Sequence, residues 1–127
     1  MIYLDTHVVV WYYANEKDRF SAELRSFMNQ HDWLISPMVQ LELQYLHEIG
    51  RINPTPDTIL TDLASRVGLV ICNKPFSNIV AAALSLTWTR DPFDRLIVAH
   101  AALNNDALVT KDSNILANYS KAHWSDF

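Results

Sequence analysis

The sequence has few of the residues on which several protein classes depend. Its 127 residues include one cysteine, two glycines and five prolines. The single cysteine, Cys72, excludes a disulfide framework and a multi-cysteine zinc site, and it fits a reducing compartment. So few glycines and prolines exclude a disordered or collagen-like chain. No apolar run approaches the roughly 18 residues of a membrane span. We therefore predict a cytoplasmic protein with no membrane association.

Positive charge is also scarce. The chain has 10 Lys and Arg against 14 Asp and Glu, a formal net charge of −4. A protein that coats nucleic acid through bulk charge has a strongly basic composition, so this class is excluded. Half of the residues are apolar, and a chain of this size can bury about two thirds of its unfolded surface in one core. We predict a single domain over residues 1–127.

Short apolar runs alternate with segments of helical periodicity along the chain. Strands are predicted at residues 2–4, 33–35, 69–72 and 107–110. Helices are predicted over residues 21–30, 37–50, 55–66, 76–86 and 91–104. Residues 8–14 form a further apolar segment. Strands separated by crossovers of a dozen or more residues belong to parallel sheets. The predicted fold class is therefore α/β, with an open parallel sheet.

Two acids follow predicted strands directly. Asp5 comes after the first apolar run, and Asp112 comes two residues after Val109-Thr110. In open α/β sheets, ligands bind beyond the carboxyl ends of the strands, so both acids are candidates for a functional site. Taken one at a time, each is also explained as a turn residue, because Asp commonly ends strands and begins helices.

Two further acids lie on helix faces that turn inward. Glu42 has Val39 and Leu46 among its helical neighbours, and Asp94 shares a face with Ile97 and Ala101. A buried carboxylate without a partner costs several kcal/mol, and Glu is almost never buried unless paired. The alternative for Glu42 is a place at the margin of the face, reaching solvent or an arginine. Asp91 needs no such role, because it is explained as a helix N-cap.

Inward-facing acids on two helices and acids at two strand ends suggest a shared cation, since like charges do not gather without one. A ligand set of oxygen donors favours Mg²⁺ or Mn²⁺ over zinc or copper. Such a metal activates water and stabilises an in-line phosphoryl displacement. The spacing of the four acids does not by itself require them to meet in space.

Four motifs together resemble PIN-domain ribonucleases, and in particular the VapC-type toxins of prokaryotic toxin–antitoxin pairs. The motifs run in the family's order over essentially the whole chain. They are Asp5-Thr6-His7 followed by Trp11, Ser36-Pro37 leading to Glu42, Arg90-Asp91-Pro92-Phe93-Asp94-Arg95, and Leu108-Val109-Thr110-Lys111-Asp112. Each motif alone is weak, whereas the four together are fairly specific.

The resemblance implies a PIN-like α/β/α sandwich whose central parallel sheet gathers the acids at one end. It also implies an endoribonuclease that cleaves RNA, such as tRNA or rRNA, by attack of a water activated by Mg²⁺ or Mn²⁺. Such proteins commonly form homodimers and are blocked by a cognate antitoxin. Carried over by position, the catalytic and metal-binding acids are Asp5, Glu42, Asp94 and Asp112, with Thr6 and Thr110 in support.

Basic and aromatic residues add candidates for RNA contacts. Arg90, Arg95 and Lys111 flank the proposed acids and are candidates for phosphate contacts, because guanidinium and ammonium groups pair well with phosphate oxygens. The alternative is that they form ordinary surface ion pairs. Base stacking or core packing would account for the aromatic residues Trp11, Tyr12, Tyr13, Trp33 and Trp88.

Two other functions remain open from the sequence. An aspartate-nucleophile phosphatase also places an Asp after its first strand, but it would have a second Asp where this chain has His7, and it gives Glu42 no role. A non-catalytic domain that binds RNA or a partner would make the acids incidental. That reading predicts no dependence of RNA cleavage on divalent metal.

Overall fold

A five-stranded parallel sheet forms the centre of the protein in the computed structural model, which describes residues 1–127. The strand order is β3-β2-β1-β4-β5. All four neighbouring pairs are parallel, and this confirms the predicted α/β class with its parallel sheet. The strands are β1 (Ile2–Leu4), β2 (Trp33–Ile35), β3 (Val70–Ile71), β4 (Ala107–Val109) and β5 (Ala122–His123).

Seven helices and one 3-10 turn connect and flank these strands. The 3-10 turn spans Lys17–Arg19. No helix is long and apolar enough to cross a membrane. The helices are α1 (Thr6–Tyr13), α2 (Ala22–Asn29), α3 (Pro37–Glu48), α4 (Pro56–Val67), α5 (Phe76–Ala83), α6 (Pro92–Ala102) and α7 (Ser113–Asn118).

The central strand β1 is buried on both faces. Ile2, Tyr3 and Leu4 are each no more than 1% exposed, as expected for a parallel strand covered by helices on both sides. Such strands appear in a sequence as continuous apolar runs rather than alternating ones. This is why the three-residue run could be recognised as a strand.

The segment at residues 8–14, described above only as apolar, forms most of α1 and its C-cap, Ala14. Val, Trp and Tyr have modest helix propensities, so the sequence gives little local sign of a helix there. Tertiary packing compensates, because Val8 and Val9 are 1% and 0% exposed. Asp5 is the N-cap of this helix, and its Oδ1 accepts a hydrogen bond from the Thr6 backbone N–H at 2.8 Å.

The chain after Asp112 adds two elements that the sequence did not delineate. It forms the six-residue helix α7 and then the short strand β5. β5 pairs in parallel with β4 through Leu108↔Ala122, so it forms the edge of the sheet beside β4. Trp124 follows β5 and is 8% exposed within the main core.

Candidate active site

The strand order places Asp5 where the direction of the chain across the sheet reverses. From β1 the chain runs outward through β2 to β3, and it then returns to the other side of β1 to form β4. Crevices at such reversals, outside the carboxyl ends of the strands, are the usual ligand sites of open α/β sheets. The Asp5 backbone N–H donates to the Val109 carbonyl at 3.0 Å, which fixes Asp5 at the junction of β1 and β4.

Thr110 links the two acids that follow these strands. Its buried hydroxyl donates to Asp5 Oδ2 at 2.7 Å and accepts from the Asp112 backbone N–H at 3.0 Å. Asp112 Oδ1 in turn accepts from the Ile115 backbone N–H at 2.9 Å and caps α7. Because both hydrogen bonds of Thr110 are short-range and directional, Asp5 and Asp112 are held in fixed orientations relative to each other.

The two helix-borne acids reach the same place from α3 and α6. The Thr6 hydroxyl donates a short hydrogen bond to Glu42 Oε1, so α1 and α3 are connected beside Asp5. Asp94 lies in the first turn of α6, and its backbone N–H donates to Asp91 Oδ1 at 3.4 Å. Both Glu42 and Asp94 are partly buried. They thus occupy the margins of their apolar helix faces.

A cavity of about 440 Å³ collects these acids, and we call it the acid pocket. Its only cationic side chain at neutral pH is Lys111, whose Nζ lies 5.8 Å from the Trp11 ring centroid. Its lining residues are Asp5, His7, Val8, Trp11, Glu42, Asp91, Asp94, Lys111 and Asp112. All four acids singled out from the sequence therefore line one cavity, although they are separated by up to 107 positions in the chain.

Burial, with repulsion from neighbouring carboxylates as a smaller cause, raises the pKa values of Asp5, Glu42 and Asp94. For Asp5 the hydrogen bonds from Thr110 and Thr6 oppose the rise without cancelling it. The pKa of Asp94 rises to about 7, because burial adds to repulsion from four other carboxylates. The pocket without a counter-charge is therefore an unfavourable environment for ionised acids.

Such a pocket suits a hard divalent cation, which would relieve the repulsion. No three His, Cys, Asp or Glu side chains converge closely enough to form a complete protein cage. Mg²⁺ does not need one, since it commonly retains several waters and uses one or two carboxylates. The donor set, which consists of carboxylate oxygens and lacks sulfur, fits Mg²⁺ or Mn²⁺ better than zinc.

The three candidate phosphate contacts occupy different places. Lys111 lines the acid pocket. Arg95 instead points its guanidinium at the end of α5, where Nε donates to the Ala83 carbonyl at 3.0 Å and Nη2 to the Leu84 carbonyl at 3.2 Å. Arg90 Nη1 donates to the Thr87 carbonyl. Neither arginine lines the pocket, and neither is in an ion pair.

From the sequence, Asp91 was assigned only the role of a helix N-cap and no place in the site. The structure confirms its N-cap role, since Asp91 Oδ1 accepts from the Phe93 backbone N–H at 2.9 Å. The same side chain also lines the acid pocket as a fifth acid. Its position three residues before Asp94 was the available signal, because residues three apart share a helix face. His7 lies exposed at the rim of the pocket.

Replacing Thr110 with valine should destabilise the fold. Valine matches threonine in shape, but it removes the donor to Asp5 and the acceptor for Asp112 in a fully buried position. We expect the free energy of unfolding to fall by about 2 to 3 kcal/mol, measured by urea denaturation. Thr110→Ser keeps the hydroxyl and should lose only about 1 kcal/mol. A valine variant as stable as the serine variant would contradict this role.

Comparison with known proteins places this arrangement in a family. The family model described as "PIN domain" matches residues 2–121. Ribonuclease VapC22 of Mycobacterium tuberculosis is 30% identical over 116 residues, which are 90% of this chain and 88% of that protein. The family match spans all four acids of the sequence motifs.

Solved structures share the fold at low sequence identity. One is the crystal structure of VapBC2 from Rickettsia felis bound to a DNA fragment from its promoter. It matches with a TM-score of 0.67 and 22% identity, over 98% of this chain and 100% of that chain. Another is a toxin–antitoxin complex from Klebsiella pneumoniae, with a TM-score of 0.67 and 15% identity, over 97% of this chain and 96% of that chain. The resemblance noted in the sequence is thus confirmed, and the chain belongs to the PIN-domain family as a VapC-type member.

Proposed function

We propose that this protein is a metal-dependent endoribonuclease and the toxin of a toxin–antitoxin pair. The observation that supports this most strongly is the collection of Asp5, Glu42, Asp94 and Asp112 in one pocket of a VapC-type PIN domain. The proposed substrate is RNA such as tRNA or rRNA, and the proposed cofactor is Mg²⁺ or Mn²⁺. We further propose that residues 1–127 act as one domain in the cytoplasm.

In this proposal the four acids surround the cation, one or two of them as direct ligands and the others through its bound waters, and the rest of the pocket positions them. A bound Mg²⁺ or Mn²⁺ supplies an activated water and a counter-charge for the phosphodiester. Thr110 holds Asp5 through a 2.7 Å hydrogen bond, and Thr6 holds Glu42. These contacts preset the carboxylates, so little reorganisation is needed when a cation enters.

Lys111 is the chain's best candidate for contact with the scissile phosphate. It is the basic residue that lines the acid pocket, and it takes part in no ion pair. An ammonium group there would offset part of the repulsion between the acids and an approaching phosphodiester. The side chains of Arg90 and Arg95 are engaged with the Thr87, Ala83 and Leu84 carbonyls, so we assign them no direct contact.

The relatives support a protein partner. Two of the matched structures are named as VapBC or toxin–antitoxin complexes, and we propose that a cognate antitoxin inhibits this protein as well. A homodimer is the other proposed assembly. Large apolar side chains are exposed along α3 and along α5 with its C-cap, and exposed apolar surface commonly marks interfaces. These side chains are Leu41, Tyr45, Phe76, Val80 and Leu84.

The two rival functions are less well supported. A phosphatase with an aspartate nucleophile would use a second acid at position 7, where an exposed His7 lies. It would also leave Glu42 and its hydrogen bond from Thr6 without a purpose. A domain that only binds RNA would gain nothing from five carboxylates around one cavity, since they repel RNA.

The deciding experiment is an RNA cleavage assay with controlled metal content. Purified protein is incubated with total tRNA and with rRNA in Mg²⁺, in Mn²⁺ and in EDTA. We expect cleavage in either metal and a loss of at least tenfold in EDTA, because the acids alone provide no activated water. Cleavage that persists in EDTA would sink the proposed mechanism, and absence of cleavage in both metals would favour the binding-only function.

A further inference from the structure

A second cavity lies outside the acid pocket and shares no residue with it. It has a volume of about 530 Å³ and lies between α2, the 3-10 turn, the last turn of α1 and the start of β2. One face of α2 forms its wall through Ala22, Arg25, Ser26 and Asn29, which are spaced as residues on a single helix face. We call it the α2 cavity.

The charge of the α2 cavity is positive although the protein is acidic. Lys17 and Arg25 line it, and no Asp or Glu does. The four ion pairs of the chain involve other basic residues, so these two cations are not neutralised within the protein. Two uncompensated cations facing one acid-free cavity indicate an anionic ligand, because paired charges at a phosphate are the strong form of such contacts.

The floor of the α2 cavity is apolar and fixed. Trp33 Nε1 donates to the Met28 carbonyl at 2.8 Å, and Tyr12 packs edge-on against Trp33 at 4.8 Å between ring centroids. The exposed amides of Asn29 and Gln30 lie at the rim. An apolar floor with a few polar groups and adjacent cations matches the chemistry of a nucleotide, which combines a base with a phosphate.

Helix α1 joins this cavity to the acid pocket. Asp5, its N-cap, lines the acid pocket, and Tyr12, in its last turn, lines the α2 cavity. At 1.5 Å per residue the two positions are about 10 Å apart along the helix axis. Arg19 stands beside Trp11 of the acid pocket, with its guanidinium carbon 4.6 Å from the centroid of the Trp11 ring, and it forms an ion pair with Glu16. The spacing of the two cavities along α1 is within the reach of a few nucleotides of one strand.

We propose that the α2 cavity is an exosite for the RNA substrate. Lys17 and Arg25 hold a phosphate of a nucleotide distant from the cleaved bond, and the base of that nucleotide lies against Tyr12. The assignment of RNA as the ligand rests on the proposed function. Its role is to add affinity and to orient the strand, so Lys17 and Arg25 are binding residues and take no part in the chemical step.

The test uses the double variant Lys17→Gln/Arg25→Gln in the full chain. Binding of a fluorescently labelled single-stranded RNA of about 16 nucleotides is followed by anisotropy in EDTA. We expect the affinity to fall roughly tenfold or more, and the slope of log affinity against log salt to drop by about 1 to 1.4. In the cleavage assay KM should rise by the same factor while kcat is unchanged.

The matched control is Arg51→Gln/Lys121→Gln, which removes two exposed cations outside both cavities and should leave RNA affinity unchanged. The single variant Lys17→Arg should keep most of the wild-type RNA affinity, because the phosphate contact needs positive charge rather than lysine. Equal RNA affinity for the double variant and the control would overturn the exosite. Two other results would also overturn it. In one, the double variant loses binding of adenosine monophosphate but keeps its RNA affinity. In the other, the double variant loses binding to a protein partner but keeps its RNA affinity.

The binding measurement also separates this proposal from the proposed function. If the wild-type protein binds RNA through Lys17 and Arg25 but does not cleave it in any metal, the α2 cavity stands as an RNA-binding site and the nuclease proposal fails. If the protein cleaves RNA with unaltered KM in the double variant, the nuclease proposal stands and the exosite fails. A wild-type protein that binds no RNA at low salt contradicts the exosite directly.

Discussion

Replacing Asp5 with asparagine is expected to lower the rate of RNA cleavage by about 1000-fold. Asp5 is 7% exposed at the end of the central strand, and its charge helps to raise the pKa values of both Glu42 and Asp94. Loss of a residue that only supports a metal ligand typically lowers metal affinity or activity 10- to 100-fold. Loss of the proposed ligand's own charge should therefore lower activity further. The rate is measured with saturating Mg²⁺ on the RNA that the wild-type protein cleaves.

The asparagine variant should remain folded. Its side-chain oxygen can still accept from the Thr6 backbone N–H, and asparagine caps helices about as well as aspartate. Urea denaturation should therefore give a transition as cooperative as that of wild type. The control is Asp57→Asn, which removes an exposed acid at the start of α4 and should leave the rate unchanged. A folded Asp5→Asn protein with wild-type activity would exclude Asp5 from the chemistry.

Replacing Asp94 with asparagine should change activity and stability in opposite directions. Cleavage is expected to fall by more than 100-fold, because Asp94 is one of the proposed ligands of the cation and a ligand matters more than a residue that supports one. In the absence of divalent metal, the free energy of unfolding at pH 8 should rise. Asp94 repels Asp5, Asp91, Asp112 and Glu42, and asparagine does not. Because Asp94 is only half-buried and solvent screens its charge, we expect a gain of roughly 1 to 2 kcal/mol.

The pH dependence of this gain has a definite sign. The pKa of Asp94 is about 7 in the folded protein, against 3.8 as its ordinary value. Between these values the folded state binds the proton more tightly than the unfolded state, so wild-type stability from this group rises as pH falls. The advantage of Asp94→Asn should thus be full above about pH 7 and should shrink as the pH approaches 4.

Comparing the two proteins at each pH removes other titrations from the result. Burial lowers the pKa of His100, so His100 destabilises the fold as pH falls, but it does so equally in wild type and variant. Saturating Mg²⁺ should reduce or reverse the advantage of asparagine, because the cation neutralises the same repulsion. An Asp94→Asn protein that is less stable than wild type at pH 8 without metal would mean that the carboxylate is held by interactions other than a cation.

The sequence singled out four of the five acids that line the pocket, because each of the four had a simple local environment. Asp5 follows the buried run Ile2-Tyr3-Leu4, and the direction of a parallel strand determines at which end of the sheet its side chain lies. Glu42 and Asp94 follow from helical periodicity, which places a polar residue on an otherwise apolar face. Those patterns determine which strand end or helix face each acid occupies, and the topology of the sheet then brings the acids together.

Contacts that depend on side-chain direction could not be predicted in the same way. The hydrogen bond from Thr110 to Asp5 joins residues 105 positions apart and requires β1 and β4 to be neighbours. Arg95 adjoins Asp94 in sequence, yet it turns to the Ala83 carbonyl, because successive residues on a helix point about 100° apart. Proximity in sequence was therefore a poor guide to which cations face the pocket.

Helix α1 and the α2 cavity could not be predicted from the sequence for a different reason. Valine, tryptophan and tyrosine favour strands, so the helix over residues 6–13 results from its cap and its buried face rather than from propensity. The cavity depends on the path of residues 14–21, which includes Asn15 at a φ of 59°. Asparagine tolerates that conformation, but its presence does not predict where the next residues go.

Because the acids are dispersed along the chain, they are synthesised at widely separated times. Asp5 is made first and Asp112 last, and the two meet only when β4 pairs with the central strand β1 through Leu4↔Val109. A growing chain that has reached α6 already contains Asp5, Glu42 and Asp94, but it has neither β4 nor Thr110 to orient Asp5. The pocket is therefore completed late, and a protein that cuts RNA would remain inert towards the RNA that is directing its own translation until that strand is in place.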